Sequence, residues 1–249
     1  MKPLISIVTA CFNASAFIEY TIKSVKNQTI DDWEWIIVDD GSTDKSVEKI
    51  NQLIEDDYRI RLIKLNVNSG PAFARNKGIE LAVGKYLTFI DADDFWYPTF
   101  LKENLKRINQ SHGFLCASYE MYNESMSLKI NSLMVPKKVN YNSILKTNTI
   151  SCLTAFIDID KLGKEYMPEI RYRQDMGLWL KYLKKISYVE GIQECLAIYR
   201  IRENSHSRSK FNLLKHQWFF YREVAQLNWI KSLYFFSIWV FYGLRKYYI

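Results

Sequence analysis

Cysteine is scarce: Cys11, Cys116, Cys152 and Cys195 lie far apart in 249 residues and form no C-x-x-C pair. That spacing argues against a zinc site and against a dense disulfide framework, and it fits reduced thiols in a cytosolic compartment. Long apolar runs are missing too. The longest uncharged aromatic stretch, 232–244, falls short of the roughly 18 residues that an ordinary membrane span needs. The turn after the first strand-like run, TACFNAS, holds no glycine, and G-x-G-x-x-G occurs nowhere. A dinucleotide-binding fingerprint and a glycine-rich pyrophosphorylase loop are thereby excluded. No low-complexity linker and no internal repeat is present. The first residues imitate a secretion signal, with Lys2, an apolar run over 4–12 and Ala14-Ser15-Ala16. That run is short and β-branched, however, and reads as the first strand of a core.

What is present describes a globular chain. Apolar residues make up 48% and charged residues 24%, ordinary values for a protein with ample length to bury a core. Aromatics reach 15% and crowd toward the C-terminus beside Lys and Arg. The net charge of +7 favours a polyanionic partner, with nucleotide phosphates, anionic lipid and nucleic acid all qualifying. Strand and helix signals alternate through the first hundred residues. LISIVTACF, WEWIIVDDGS, IRLIKLN and YLTFIDAD read as strands, separated by helices carrying Ile18, Ile22 and Val25, then Val47, Ile50 and Leu53, then the segment opened by Gly70-Pro71. Ser42 or Thr43 is placed to cap the second of these helices. Such alternation predicts βαβ units and a mostly parallel sheet with helices on both faces. After Pro98 the pattern loosens. It predicts a helix near 99–109, strand-like pieces near 114–121 and 154–159, a helix in RQDMGLWLKYLKK, strands around YVE and CLAIYRI, and helices over 211–228 and 229–248.

Four polar clusters each follow a predicted strand: 9–13, 39–42, 66–70 and 91–94. They gather at the carboxyl edge of the sheet, where ligands bind in open α/β folds. In KYLTFIDADDFWYP an apolar run stops at Asp91, Asp93 and Asp94. In extended backbone, residues two apart point the same way, so Asp91 and Asp93 are expected to face one point and Asp94 another. Crowded carboxylates repel unless a cation or a shared proton relieves them. A hard divalent ion, Mn²⁺ or Mg²⁺, suits such oxygens and leaves coordination positions open for a diphosphate. A solvated loop with Asp94 as a helix cap is the plainer alternative. Of Asp39 and Asp40, one can accept hydrogen bonds from a base or ribose and the other can cap the next helix. Asp175, taken alone, is an acid in the first turn of a helix, where the macrodipole favours it.

SIVTACFNASAFIEYTIKSVKNQT, WEWIIVDDGSTD, NSGPAFARNKGIELAVGKYLTFIDADD and RQDMGLWLKYL, in this order, resemble the family 2 glycosyltransferases, nucleotide-sugar enzymes of the A-type fold. The resemblance is dense over about the first 100 residues and thin beyond, and it points to bacterial enzymes that build O-antigen, capsule or exopolysaccharide repeat units. It implies an α/β fold with a Rossmann-like, mostly parallel sheet and C-terminal helices. It also implies a nucleotide-sugar half (1–110), an acceptor and catalytic-base half of the same domain (111–205), and a C-terminal helical segment (206–249). Position by position, Thr9 would border uracil and ribose, Asp39 would bind the uracil ring, and Asp40 would support that pocket. Arg75 would lie near the base or diphosphate, Asp91 would touch ribose or sugar hydroxyls, Asp93 would coordinate the metal, and Asp175 would be the catalytic base. The implied donor is a UDP-sugar, with glucose or galactose favoured. The implied acceptor is a sugar on a polyprenyl diphosphate, and the implied reaction inverts an α-linked donor to a β-glycoside. A cytoplasmic protein, peripheral on the inner face of the cell membrane and with no nucleic-acid partner, follows from the same resemblance.

Two departures from the family pattern stand out. Gln174 precedes Asp175 where a second carboxylate is common, so one acid remains. Where a late Tyr-Arg pair is often followed by a metal-binding histidine, this chain has Ile201 and Arg202, with His206 further on. His206 could substitute, Arg202 could meet phosphate directly, or the metal could hold more water. The C-terminal aromatic helix, flanked by Lys231, Arg245 and Lys246, could lie at a membrane interface or pack on the domain. Two rival readings are weaker. An aspartate-nucleophile phosphatase needs a continuation that DADDFW does not offer, and a noncatalytic carbohydrate- or nucleic-acid-binding protein needs no acids at several strand ends.

Overall fold

The computed structural model describes residues 2–202 and 210–248; His206 lies outside them, as do the side chains of Arg245 and Lys246. In chain order the elements are β1 (Ile5–Cys11), α1 (Ile18–Lys26), β2 (Trp33–Asp39), α2 (Ser46–Ile54), β3 (Ile60–Lys64), α3 (Pro71–Leu81), β4 (Tyr86–Phe89), β5 (Phe95–Trp96) and α4 (Phe100–Ile108). There follow β6 (Phe114–Tyr122), β7 (Lys129–Leu133), β8 (Lys138–Val139), α5 (Tyr141–Lys146), β9 (Phe156–Asp158), α6 (Ile159–Leu162), α7 (Gln174–Leu183) and β10 (Val189–Arg200). The C-terminal part is α8 (Lys210–Phe219), a π-helical turn (Phe220–Val224) and α9 (Trp229–Tyr248).

All of the strands join one sheet in the order β3-β2-β1-β4-β9-β6-β10-β5, with β7 on β6 and β8 on β10. The first four in that order run parallel, Thr9 pairing with Ile37 and Val8 with Phe89. Burial on both faces explains why LISIVTACF and WEWIIVD read as continuous apolar runs and not as alternating ones. In the second half β9 lies antiparallel to both β4 and β6, while β10 is parallel to β6. One apolar core fills each face of the sheet, and each draws side chains from both halves of the chain, Val8 with Trp179 on one face and Ile7 with Leu196 on the other.

Two features fix the strands relative to one another. Gly84 enters β4 so close to β1 that a β-carbon there would sit 2.6 Å from the Ser6 amide nitrogen. At the same, amino-terminal edge of the sheet, the buried Glu34 carboxylate accepts from the Ser6 hydroxyl and the Val83 amide, both at 2.7 Å, and from Arg61 at 2.8 Å. This acid is paired on every side, as burial of a charge requires.

Several local expectations need correction. The fourth strand ends at Phe89, and Asp94 N–H turns back to the Asp91 carbonyl at 3.1 Å. The three acids therefore occupy a turn, and the two-residue alternation of extended backbone does not govern them. The second helix begins at Ser46, so neither Ser42 nor Thr43 caps it; the Ser42 hydroxyl accepts from the Asn13 amide instead. YVE and CLAIYRI belong to one long strand, β10, bent by register shifts between Ile192 and Ala197. The segment expected as a helix over 211–228 is broken by the π-helical turn.

Candidate active site

The carboxyl edge of the parallel strands is assembled mainly from backbone hydrogen bonds to side chains. Asn13, in left-handed backbone at φ 49°, accepts from the Thr43 amide at 2.9 Å and so ties the loop after β1 to the loop after β2. Thr9 is fully buried; its hydroxyl donates to the Ile90 carbonyl at 2.7 Å and accepts from the Trp35 indole at 2.9 Å. Its side chain welds the ends of three strands beneath the site and turns no polar atom toward a ligand. Asp40 uses both oxygens on backbone amides, Ser69 at 2.7 Å and Gly70 at 2.8 Å. The loop before α3 is thereby held against the end of β2, with Gly70 at φ 92° supplying the bend that Pro71 then converts into a helix start. Asp39 differs. One oxygen accepts from the Ser42 amide at 3.0 Å, and the other is buried with no protein partner. An orphaned buried carboxylate oxygen is costly unless something donates to it, and a base N–H or a ribose hydroxyl would do so.

The three acids after β4 take three different tasks. Asp91 pairs with Arg75 of α3 at 2.5 Å, and the Arg75 Nε is buried without a protein acceptor. Asp94 is buried and accepts from the Arg200 amide at 2.9 Å, closing β10 onto the turn. Burial and the charge of Asp93 hold the Asp94 pKa well above the usual carboxylate range. Asp93 faces Arg202 at 3.4 Å, and its pKa is raised by burial and by the neighbouring charge of Asp91. Among the described residues no three His, Cys, Asp or Glu side chains come together as a metal-binding group. The acids at hand, Asp91 and Asp93, still fit a hard divalent ion, because their mutual repulsion is what a cation relieves and their oxygens are its preferred donors. Such an ion would complete its shell from a diphosphate and water. Arg202 brings a second positive charge to the same carboxylate.

Asp175 lies in the first turn of α7, close enough to Arg75 for the two charges to act on each other. Its pKa is raised by burial, while the Met176 amide, the charges of Arg75 and Arg173 and a hydrogen bond from Asn148 at 3.1 Å pull the other way. A carboxylate poised above its ordinary range suits proton abstraction near neutral pH. The thiols are held protonated by burial: Cys152, beside Arg75, is raised well above its ordinary value, and Cys11, helped by the charge of Asp39, and Cys116 are pushed up to about 12. The sequence reading missed Asn148 and Arg173. Asn148 sits in KTNTI, 27 residues before the acid it touches, and nothing local marks it. Arg173 carried a signal only in retrospect, as the cation just ahead of the α7 acid.

Known proteins similar to this chain are glycosyltransferases by name. The Bacillus subtilis (strain 168) chain that bears the name teichuronic acid biosynthesis glycosyltransferase TuaG is 39% identical over 98% of both chains. WfgD of Escherichia coli, named a UDP-Glc:alpha-D-GlcNAc-diphosphoundecaprenol beta-1,3-glucosyltransferase, is 30% identical over 98% of this chain and 94% of its own. Among solved structures, residues 1–349 of S. aureus TarS with UDP-GlcNAc superpose with a TM-score of 0.71 at 18% identity, covering 96% of this chain and 72% of that one. This likeness establishes the A-type glycosyltransferase fold. The family described as Glycosyl transferase family 2 matches residues 6–158, and the chain belongs to it.

Proposed function

We propose that this chain transfers a hexose, glucose or galactose, from a UDP-sugar to a sugar carried on a lipid diphosphate, with inversion to a β-glycosidic bond, in the synthesis of a bacterial surface polysaccharide. The observation that carries the reading is one arginine shared by two acids. Arg75 grips Asp91 at the strand-end cluster, and its charge is felt by Asp175 on α7. In this reading the leaving diphosphate lies toward Asp91 and Asp93 and the incoming hydroxyl toward Asp175, as in-line inversion requires. The lipid-linked acceptor is supported by the relative WfgD and by the charge and aromatic content of the C-terminal segment.

The chain's own residues divide the work. The free oxygen of Asp39 accepts a hydrogen bond from the uracil ring, and Asp40 keeps the flanking loop in place. Asp91, steadied by Arg75, accepts from ribose or sugar hydroxyls. Asp93, with Asp91, would hold a Mn²⁺ or Mg²⁺ ion, and such an ion would supply positive charge to the departing diphosphate. Arg202 adds a guanidinium to that charge. Asp175 removes the proton of the acceptor hydroxyl, and Asn148 fixes the carboxylate's orientation.

The C-terminal hairpin is read here as the contact with an anionic bilayer. Ile230, Leu233, Tyr234 and Phe241 recur on one exposed face of α9, and Ser232 and Phe235 face inward. Over 206–249 the sequence has Arg208, Lys210, Lys215, Arg222, Lys231, Arg245 and Lys246 against the single acid Glu223. An apolar, aromatic face with basic flanks suits the headgroup layer. Among the described residues no helix is long and apolar enough to cross a membrane.

The test is release of nucleoside diphosphate from a panel of sugar nucleotides, with a lipid-diphosphate sugar as acceptor, with and without Mn²⁺. Turnover of one UDP-hexose that needs metal and is lost in both Asp93→Ala and Asp175→Asn is the expected result. Absence of turnover together with absence of metal-dependent UDP binding would overturn the reading in favour of a noncatalytic binding protein.

A further inference from the structure

Three arginines around the site each have a protein acceptor for at least one nitrogen. Arg75 is held by Asp91, Arg202 by Asp93, and Arg200 by the Asp93 and Glu124 carbonyls. Arg173 is not: among the described residues its guanidinium has no ion-pair partner and no hydrogen-bond acceptor, and its contact is the ring of Trp239, 5.2 Å away. Burial lowers its pKa, opposed by the charges of Asp175 and Tyr221. Its backbone is left-handed, φ 62° and ψ 25°, a conformation that a long side chain adopts at a cost. Strain of this kind persists where surroundings impose it, and it clusters at ligand clamps. The surroundings here are the C-terminal hairpin, which holds the segment through Trp239 on Arg173 and through His216, whose ring lies 4.3 Å from that of Tyr172.

We propose that Arg173 binds the diphosphate of the lipid-linked acceptor, between the catalytic base and the membrane-facing hairpin; the inference rests on the acceptor class proposed above. A guanidinium presents its donors in a planar fork that matches phosphate oxygens, and the half-buried setting of Arg173 strengthens such bonds relative to open solvent. The Cα of Asp175 is at most about 7 Å from that of Arg173, and the two side-chain charges act on each other. A single sugar would bridge the two groups, with its diphosphate on Arg173 and a ring hydroxyl at the carboxylate. The amino end of α7, ten residues long, adds its dipole to the same anion. Trp239 lies on the part-buried side of α9, and the opposite side of the same helix exposes Ile230, Leu233, Tyr234 and Phe241.

The experiment is a calorimetric titration of the full chain, presaturated with UDP, using farnesyl diphosphate as probe. Arg173→Asn is the principal variant, because asparagine tolerates left-handed backbone, and Arg173→Lys retains the charge. Wild type is expected to bind, Arg173→Asn to bind about tenfold more weakly or worse, and Arg173→Lys to fall between, as loss of a charge-assisted hydrogen bond predicts. UDP affinity should stay within about twofold in each, and thermal melting checks that they fold. Equal binding of the probe by Arg173→Asn would overturn the proposal, as would a probe that UDP displaces, since it would then occupy the donor site. Phosphatidylglycerol vesicles form the second arm: if Arg173→Asn loses affinity for vesicles and none for farnesyl diphosphate, the cation serves bilayer headgroups and the proposal fails. Failure of wild type to bind UDP would count against the function proposed above, and the UDP-free titration of the same variants would still decide the role of Arg173.

Discussion

The strand-end side of the site and the α7 side hold their acids in different ways. At the strand ends, Asp40 and Asp94 are gripped by backbone amides of Ser69, Gly70 and Arg200, groups that cannot move without unravelling a loop or a strand. On α7, Asp175 takes a side-chain amide from Asn148, and its neighbour Arg173 leans on a ring of the C-terminal hairpin. The first arrangement is fixed by the peptide framework. The second is set by side chains and by the docking of a separate helical pair, so it can be retuned without disturbing the sheet. Under the proposed function, the donor meets the rigid half and the acceptor meets the adjustable half.

The largest test of this contrast is Asp175→Asn. Removing a general base is expected to lower turnover by about 10²- to 10⁴-fold while UDP binding, measured by calorimetry, is retained. Loss of UDP binding in this variant would mean that the two sides are not separable. Asp40→Ala should act the opposite way: it removes the acceptor of two part-buried amides and should destabilise the fold by roughly 2 kcal/mol in urea unfolding, with UDP affinity falling alongside. Asn148→Ala sharpens the contrast from the other side, costing about 1 kcal/mol of stability. It should also change the pH profile. Burial raises the Asp175 pKa, and the Asn148 hydrogen bond opposes that rise, so the carboxylate is active above its pKa and loses activity as pH falls through it. Without Asn148 the acid limb of turnover should move to higher pH; a limb that stays still would sever Asn148 from the base. Leu233→Glu, on the exposed face of α9, should change stability by less than about 0.5 kcal/mol yet weaken sedimentation with anionic vesicles.

The same contrast explains what could be read from the sequence. The first four strands and the helices between them were legible because each is a local pattern of apolar spacing bounded by Gly, Pro or acids, and because parallel strands buried on both faces announce themselves. The acids at strand ends were legible for the same reason, being where an apolar run stops. What each acid does was not. Asp91 and Asp93 share an edge because of a turn and an arginine 16 residues upstream of Asp91, and extended backbone has no part in it. β7 and β8 were missed since KINSL and KV carry little apolar signal, and they form by pairing with β6 and β10 across the sheet. Asn148 and Arg173 gain their meaning from contacts 27 and 66 residues away, which no window along the chain contains.

Glu34 stands at the edge of the sheet opposite the reaction, where it joins Ser6, Arg61 and Val83. Damage there would leave every reacting group untouched while loosening the frame that spaces them. A Glu34→Gln chain would then hold its fold in the cold and lose it in the heat, a conditional defect written at the far side of the molecule from the acids whose spacing it controls.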